Sequence, residues 1–137
     1  MKKFLVFAVL VSLLIAGCDL FPNFTIDDIL GEWDFSDRII KGKAATNVHL
    51  SVLSEDTFDL GWDTNENSYW IGCNGTMEKN VFTGTYDAWD GNLVGDSQIA
   101  DDASIVITFT LKDEKLTAKF EGDGLLDGVT LTEGVKQ

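Results

Sequence analysis

Proline, histidine, cysteine and basic residues are all scarce in this chain. One proline in 137 residues excludes a proline-rich linker or a polyproline recognition segment. One histidine and two cysteines cannot supply the four ligands of a structural zinc site, and two cysteines are too few for a disulfide scaffold. Lysine and arginine together number 10 against 23 aspartates and glutamates, for a formal charge of −13. A surface of that sign argues against nucleic-acid binding, which needs a basic footprint. No helix-period stretch is long enough to build a crossover between parallel strands, and no internal repeat is visible. Aromatic residues make up 11% of the chain and β-branched residues are plentiful, so the charge does not signal disorder. Thirteen glycines beside a single proline point to sheet with tight turns.

The first residues form a distinct unit. Met1-Lys2-Lys3 is a cationic head, Phe4 to Ile15 is uncharged with Ser12 its one polar residue, and Ile15-Ala16-Gly17-Cys18 closes the run. A spanning helix needs roughly 20 apolar residues, so this shorter stretch with small residues at its exit reads as a secretory signal peptide over residues 1–17. The exit resembles the lipobox of bacterial lipoproteins: an aliphatic residue, two small ones, then cysteine. The resemblance implies a diacylglyceryl group on the Cys18 sulfur, cleavage between Gly17 and Cys18, and acylation of the new amine, palmitate being a typical chain. Several acyl chains, each contributing about 0.8 kcal/mol per buried methylene, anchor a protein lastingly without a spanning segment. Asp19 resembles the inner-membrane retention signal of enteric Gram-negative bacteria. The expected location is therefore extracytoplasmic, at the periplasmic face of a membrane or at the cell surface.

Removing the leader leaves about 120 residues, enough for one domain. It also removes the two positive charges of Lys2 and Lys3, taking the formal charge from −13 to −15. Such a body has no electrostatic attraction to anionic lipid, so the acyl anchor must hold it. With Cys18 lipidated, Cys73 has no second cysteine to pair with. Residues 18–24 make the lipidated cysteine and a short tether, its six residues after Cys18 spanning at most about 20 Å. The remaining domain is expected over 25–137.

Thr25 to Leu30 reads as a short helical turn, with Asp27 and Asp28 favoured near its N-terminus and Gly31 ending it. From Glu32 onward the hydrophobic period is two. Trp33 and Phe35 share a face, as do Val48, Leu50 and Val52, and then Phe58, Leu60 and Trp62. Tyr69, Ile71, Cys73 and Met77 follow, then Phe82, Gly84 and Tyr86. Ile105, Ile107, Phe109 and Leu111, then Leu116, Ala118 and Phe120, then Val129 and Leu131 complete eight expected strands. Turn residues at Ser54-Glu55, Asp63 to Asn67, Glu78 to Asn80, Lys112 to Glu114 and Gly122 to Gly124 make most connections hairpin-sized. Two are expected to be longer, Arg38 to Ala45 and Trp89 to Asp102. An all-β fold follows: a single antiparallel eight-stranded up-and-down barrel, which leaves no exposed edge, with a β-sandwich as the alternative.

A helical turn running into Gly31-Glu32-Trp33 resembles the Gly-X-Trp start of lipocalin-like barrels, the calycin group. Phe82-Thr83-Gly84-Thr85-Tyr86 is similar to a strand of the avidin-type barrels in that group. The resemblance implies that the helix plugs the closed end, that the tryptophan packs beneath it, and that the first long connection hangs over an open mouth. Lipocalins often stack a late-strand arginine on that tryptophan. The only arginine here is Arg38.

Catalytic machinery is not evident, and no enzyme is expected. His49 falls on the outward face of its strand. Cys73 falls on the inward face among apolar neighbours, where a thiol behaves as a small hydrophobe. Asp63-Thr64-Asn65-Glu66-Asn67-Ser68 resembles the start of a calcium loop, but position six is serine rather than glycine and position twelve is Asn74. It reads better as a polar hairpin loop, so no metal or cofactor is expected. Arg38, Lys41 and Lys43 put three of the mature chain's eight cations within six residues, beside Ile39 and Ile40. Over an open mouth, such a basic and apolar flap would suit an amphiphile with an anionic head. Trp62, Tyr69, Phe82, Tyr86 and Phe109 face inward and either line a pocket or fill it. Two functions stay open: a membrane-tethered barrel that binds a small apolar or amphipathic ligand, and a filled barrel that contacts an envelope or host protein.

Overall fold

The structure, a computed structural model, describes residues 25–88 and 103–137. The leader, Cys18, the tether and the connection from Trp89 to Asp102 lie outside the described residues. A four-residue helix, α1 (Ile26–Ile29), precedes nine strands: β1 (Gly31–Phe35), β2 (Arg38–Ile40), β3 (Lys43–Val52), β4 (Thr57–Asp63) and β5 (Ser68–Glu78), then β6 (Val81–Ala88), β7 (Ala103–Lys112), β8 (Lys115–Gly122) and β9 (Thr130–Lys136). A short 3-10 helix, Gly124–Leu126, sits between β8 and β9.

Each strand from β3 to β8 pairs antiparallel with the next, and β1 pairs with both β3 and β9. The sheet therefore closes on itself as an eight-stranded up-and-down barrel, which removes the sandwich alternative. At the closing seam Trp33 stands opposite Lys136 and Asp34 opposite Val135, and the Gln137 N–H donates to the Glu32 carbonyl at 3.0 Å. The ninth strand, β2, continues the line of β1 along β3 and, among the described residues, has β3 as its only ladder partner.

Two connections differ from the sequence expectation. The stretch from Arg38 to Ala45 is a hairpin rather than a loop: Ile40 pairs with Lys43 across Lys41 (φ 49°) and Gly42 (φ 82°). Two consecutive positive φ values make the tight turn that matches strand twist. The β8–β9 connection is longer than a hairpin turn because the 3-10 helix intervenes, burying Leu126.

The barrel has two unlike ends. At the α1 end lie α1, the β3–β4, β5–β6 and β7–β8 turns, and the C-terminus. The Asp28 carboxylate accepts the Thr25 N–H at 2.8 Å and its hydroxyl at 3.1 Å, tying off the helix start. Ile29 is buried beneath, and the Trp33 indole N–H donates to the Ile29 carbonyl at 2.8 Å. The Lys136 ammonium stands 5.6 Å over the Trp33 ring. At the hairpin end lie the β2–β3 turn, the β4–β5 loop and the 3-10 helix.

Between the ends, the inward residues of the eight barrel strands form one continuous core, as their alternation demands. A bulge between Thr46 and His49, with Asn47 at φ 50°, resets β3 so that Val48 points inward and His49 outward. Gly75 and Gly84 face one another across β5 and β6. A Cβ on either would fall 2.2 Å or 2.1 Å from the carbonyl oxygen of Thr83 or Asn74, so the strands approach this closely only because both are glycine.

Candidate functional site

The inward rings pack against one another. Phe58 meets Phe82 edge-on with centroids 4.6 Å apart, and stacks with Phe109 at 5.2 Å. Trp62 and Tyr69 stack nearly parallel at 5.0 Å and 6°. Phe82, Tyr86 and Phe109 are 0% exposed, Trp62 3% and Tyr69 5%, so almost none of their surface can be touched by a water molecule. The Tyr86 hydroxyl donates to the Asp123 carbonyl at 2.7 Å. Among the described residues no buried side-chain nitrogen or oxygen lacks a hydrogen-bond partner. A ligand pocket ordinarily presents a few convergent polar groups to its guest. This interior has spent its own.

The three clustered cations do not converge. Arg38 donates from Nε to the Ser36 carbonyl at 2.9 Å and from Nη2 to the Thr132 carbonyl at 3.1 Å, with its guanidinium 5.4 Å over the Phe35 ring. Partial burial lowers its pKa. The Lys41 ammonium donates to the Asp127 carbonyl, on the β8–β9 connection. Both therefore latch the β2–β3 hairpin onto the strand and loop beside it. Lys43 points the other way, into a groove of about 230 Å3 shared with Ala44, Thr64, Asn65 and Glu66. The two arms of the hairpin have different neighbours: β2 lies toward Thr132 of β9, and β3 toward β4 and its loop. Ile39 is exposed, while Ile40 is buried under the hairpin.

The outer wall holds a feature that sequence reading passed over. His49, Gly61 and Trp70 stand side by side across β3, β4 and β5. The His49 and Trp70 rings lie 5.2 Å apart, tilted by 56°, over Gly61. A Cβ on Gly61 would meet the His49 ring at 2.4 Å, so glycine here makes the seat for the imidazole. His49 Nδ1 lies 2.9 Å from the Asn47 carbonyl. Trp70 was legible in principle, since a tryptophan out of phase with Tyr69, Ile71 and Cys73 must face outward. Around the pair stand carboxylates: Asp34 on β1 beside His49, and Asp59 and Asp63 on β4. Partial burial raises the Asp59 pKa. Hydrogen bonds from Asn47, at 2.7 Å, and from Ser68, with the charge of nearby His49, lower that of Asp63.

The loop that resembled a calcium site closes on itself instead. The Thr64 N–H donates to the Asn67 carbonyl at 2.8 Å, and the Asn67 N–H donates to Thr64 Oγ1 at 3.1 Å. Among the described residues no group of three or more His, Cys, Asp or Glu side chains is placed to hold a metal. No helix among them is long and apolar enough to cross a membrane. Cys73 is buried in the core. Cys18 and the acidic stretch from Asp96 to Asp102 lie outside the described residues.

No family model matches the chain, and no curated protein or solved structure does so.

Proposed function

We propose that this chain is a lipid-anchored, extracytoplasmic, non-enzymatic protein whose barrel is solid and acts through its outer surface, as an envelope or surface protein-interaction module. The signal peptide and lipobox carry the anchoring half of this reading. The packed interior supports the other half. To admit a guest, at least two rings of the Phe58, Phe82, Phe109 group would have to give up their burial. At about 1.5–3 kcal/mol per ring, that costs roughly 3–6 kcal/mol, or two to four powers of ten in Kd. An outer wall has no such penalty, and the His49–Trp70 pair offers an aromatic anchor, the residue type that interface centres favour, with carboxylates at its rim. A cationic side chain of a partner could stack on the Trp70 face and reach Asp59 or Asp63. A photo-cross-linking residue placed at position 70 should trap a discrete protein adduct in the native envelope, while one at Thr110, on the far wall, should not. No adduct from position 70, or the same adduct from both, rejects the module.

One observation favours the second reading, a small apolar or amphipathic ligand in a lipocalin-like barrel. Trp62 and Tyr69, unlike the deeper rings, keep a sliver of exposure near the hairpin end, where the hydrogen bonds of Arg38 and Lys41 go to carbonyls. Releasing those latches would bare the ring stack to an amphiphile. Lys136 over Trp33 also supports the resemblance, since it supplies a last-strand cation where lipocalins place an arginine. Native mass spectrometry of the chain and of Trp62→Ala, each taken from its own cells, separates the readings: a bound lipid mass lost in Trp62→Ala favours the ligand, and a bare chain or a mass that variant keeps favours the solid module.

A further inference from the structure

The α1 end carries a groove of about 520 Å3 between the helix, the β7–β8 turn and the end of β9. Asp28, Asp113 and Glu114 line it beside Lys115, Lys136 and Val135, with Trp33 at its floor. The turn that shapes it is a two-residue one, Asp113 and Glu114 at φ 51° and 60°, closing the Lys112–Lys115 pair. Two of the three large exposed apolar side chains among the described residues are at this end: Leu53 at 58% on the β3–β4 turn, and Val135 at 45% on β9. Lys79 and Lys112 are exposed on neighbouring turns. Glu55, Asp56 and Glu78 are exposed on the same turns, so the rim around these apolar side chains carries both signs; at a bilayer interface the long cationic side chains reach the headgroups while their stems stay apolar.

We propose that the α1 end docks on the membrane and that its groove takes the headgroup of a zwitterionic aminophospholipid, the phosphate on Lys115 and Lys136 and the ammonium on Asp28, Asp113 and Glu114. This rests on the lipid-anchor reading. The tether decides which end faces down, because it joins the barrel at Thr25. From Cys18 to Thr25 is seven residue steps, at most about 25 Å. The α1 end is therefore the one held next to the anchored Cys18, while the hairpin end stands a strand's length farther off. Headgroup chemistry follows from charge. An acidic body repels an anionic headgroup, whereas a groove with both signs complements a group that carries both.

The test uses mature lipidated protein in vesicles of phosphatidylethanolamine and phosphatidylglycerol with brominated acyl chains. A polarity-sensitive fluorophore is attached to a cysteine replacing Leu53, Val135 or Ile39 in turn; Cys73 is buried and out of reach. Bromine should quench the labels at 53 and 135 and spare the one at 39. Quenching at 53 and 135 should be lost in vesicles of phosphatidylglycerol alone and in Lys115→Glu, and kept in Lys115→Arg. Protein that fails to float with any vesicle overturns the anchor reading itself. Protein that floats but is quenched at none of the positions, or equally at 39, overturns the docking face. Quenching indifferent to phosphatidylethanolamine and to Lys115→Glu overturns the headgroup site.

Discussion

At the α1 end a tryptophan, a four-residue helix and three tight turns close the barrel, whereas at the hairpin end two cationic side chains reach across to backbone carbonyls. The first closure is apolar. Ile29 and Trp33 are buried, and the one polar atom of the indole is satisfied by the Ile29 carbonyl at 2.8 Å. The second buries the smaller Ile40 and Leu126 and adds polar latches mostly at the surface: Arg38 to Thr132 and Lys41 to Asp127 span the gap between β2 and the start of β9, which no ladder bridges among the described residues. Burial of a large side chain contributes several kcal/mol, while an exposed hydrogen bond nets about 0.5–1.5 kcal/mol. The α1 end should therefore be the rigid one, and local opening should begin at the hairpin. That asymmetry fits the proposed anchor, which would hold the protein by its rigid end with the adjustable end facing outward.

The comparison breaks most visibly at Trp33. Trp33→Ala should lower stability by about 3–5 kcal/mol in urea unfolding, since it empties the plug and strands the Ile29 carbonyl. Trp33→Phe keeps most of the volume and should lose about 1–2 kcal/mol, mainly for that carbonyl. At the other end, Arg38→Met and Lys41→Met should each cost about 0.5–1.5 kcal/mol. They should speed amide hydrogen exchange in β2 and leave the α1 end untouched. Equal losses at the two ends, or faster exchange at α1 in the latch variants, would contradict the asymmetry.

Asp59 provides the smallest and most conditional effect, on the wall between the ends. Burial raises its carboxyl above the unfolded value, so ionising it costs the fold. The penalty is absent below the unfolded pKa, near 4, and grows as pH rises through the raised folded value. Asp59→Asn should give a small rise in Tm at pH 7 that vanishes when melting is repeated at pH 3. A gain that persists at the lower pH points to packing instead.

The barrel was legible because each of its strands buries one face, so period two alone named Leu50, Phe58, Ile71, Phe109 and their companions as core. Strand β2 was not, since three residues are too few to show a period. Its Lys41-Gly42 turn was the available signal and was passed over beside the apolar pair Ile39-Ile40. The candidate site was legible only in part. Alternation says that Phe82, Tyr86 and Phe109 point inward, but whether rings from opposite walls meet depends on how the barrel closes, which no single strand encodes. Closeness in sequence misled for Arg38, Lys41 and Lys43, because the two arms of the hairpin reach different neighbours, Arg38 and Lys41 toward β9 and its connection and Lys43 toward the β4–β5 loop. The His49–Trp70 pair was hidden because its members lie 21 positions apart and meet only across Gly61.

The solid interior is the claim on which the functional reading turns, and a titration of the mature protein with a fluorescent fatty acid tests it most directly. A filled barrel predicts no saturable one-to-one enhancement, in the native protein or in Phe82→Ala beyond the small cavity that change creates. Saturable one-to-one binding to the native chain, abolished by Lys41→Met or by Trp62→Ala at the hairpin end, would contradict it and give the barrel back to a ligand.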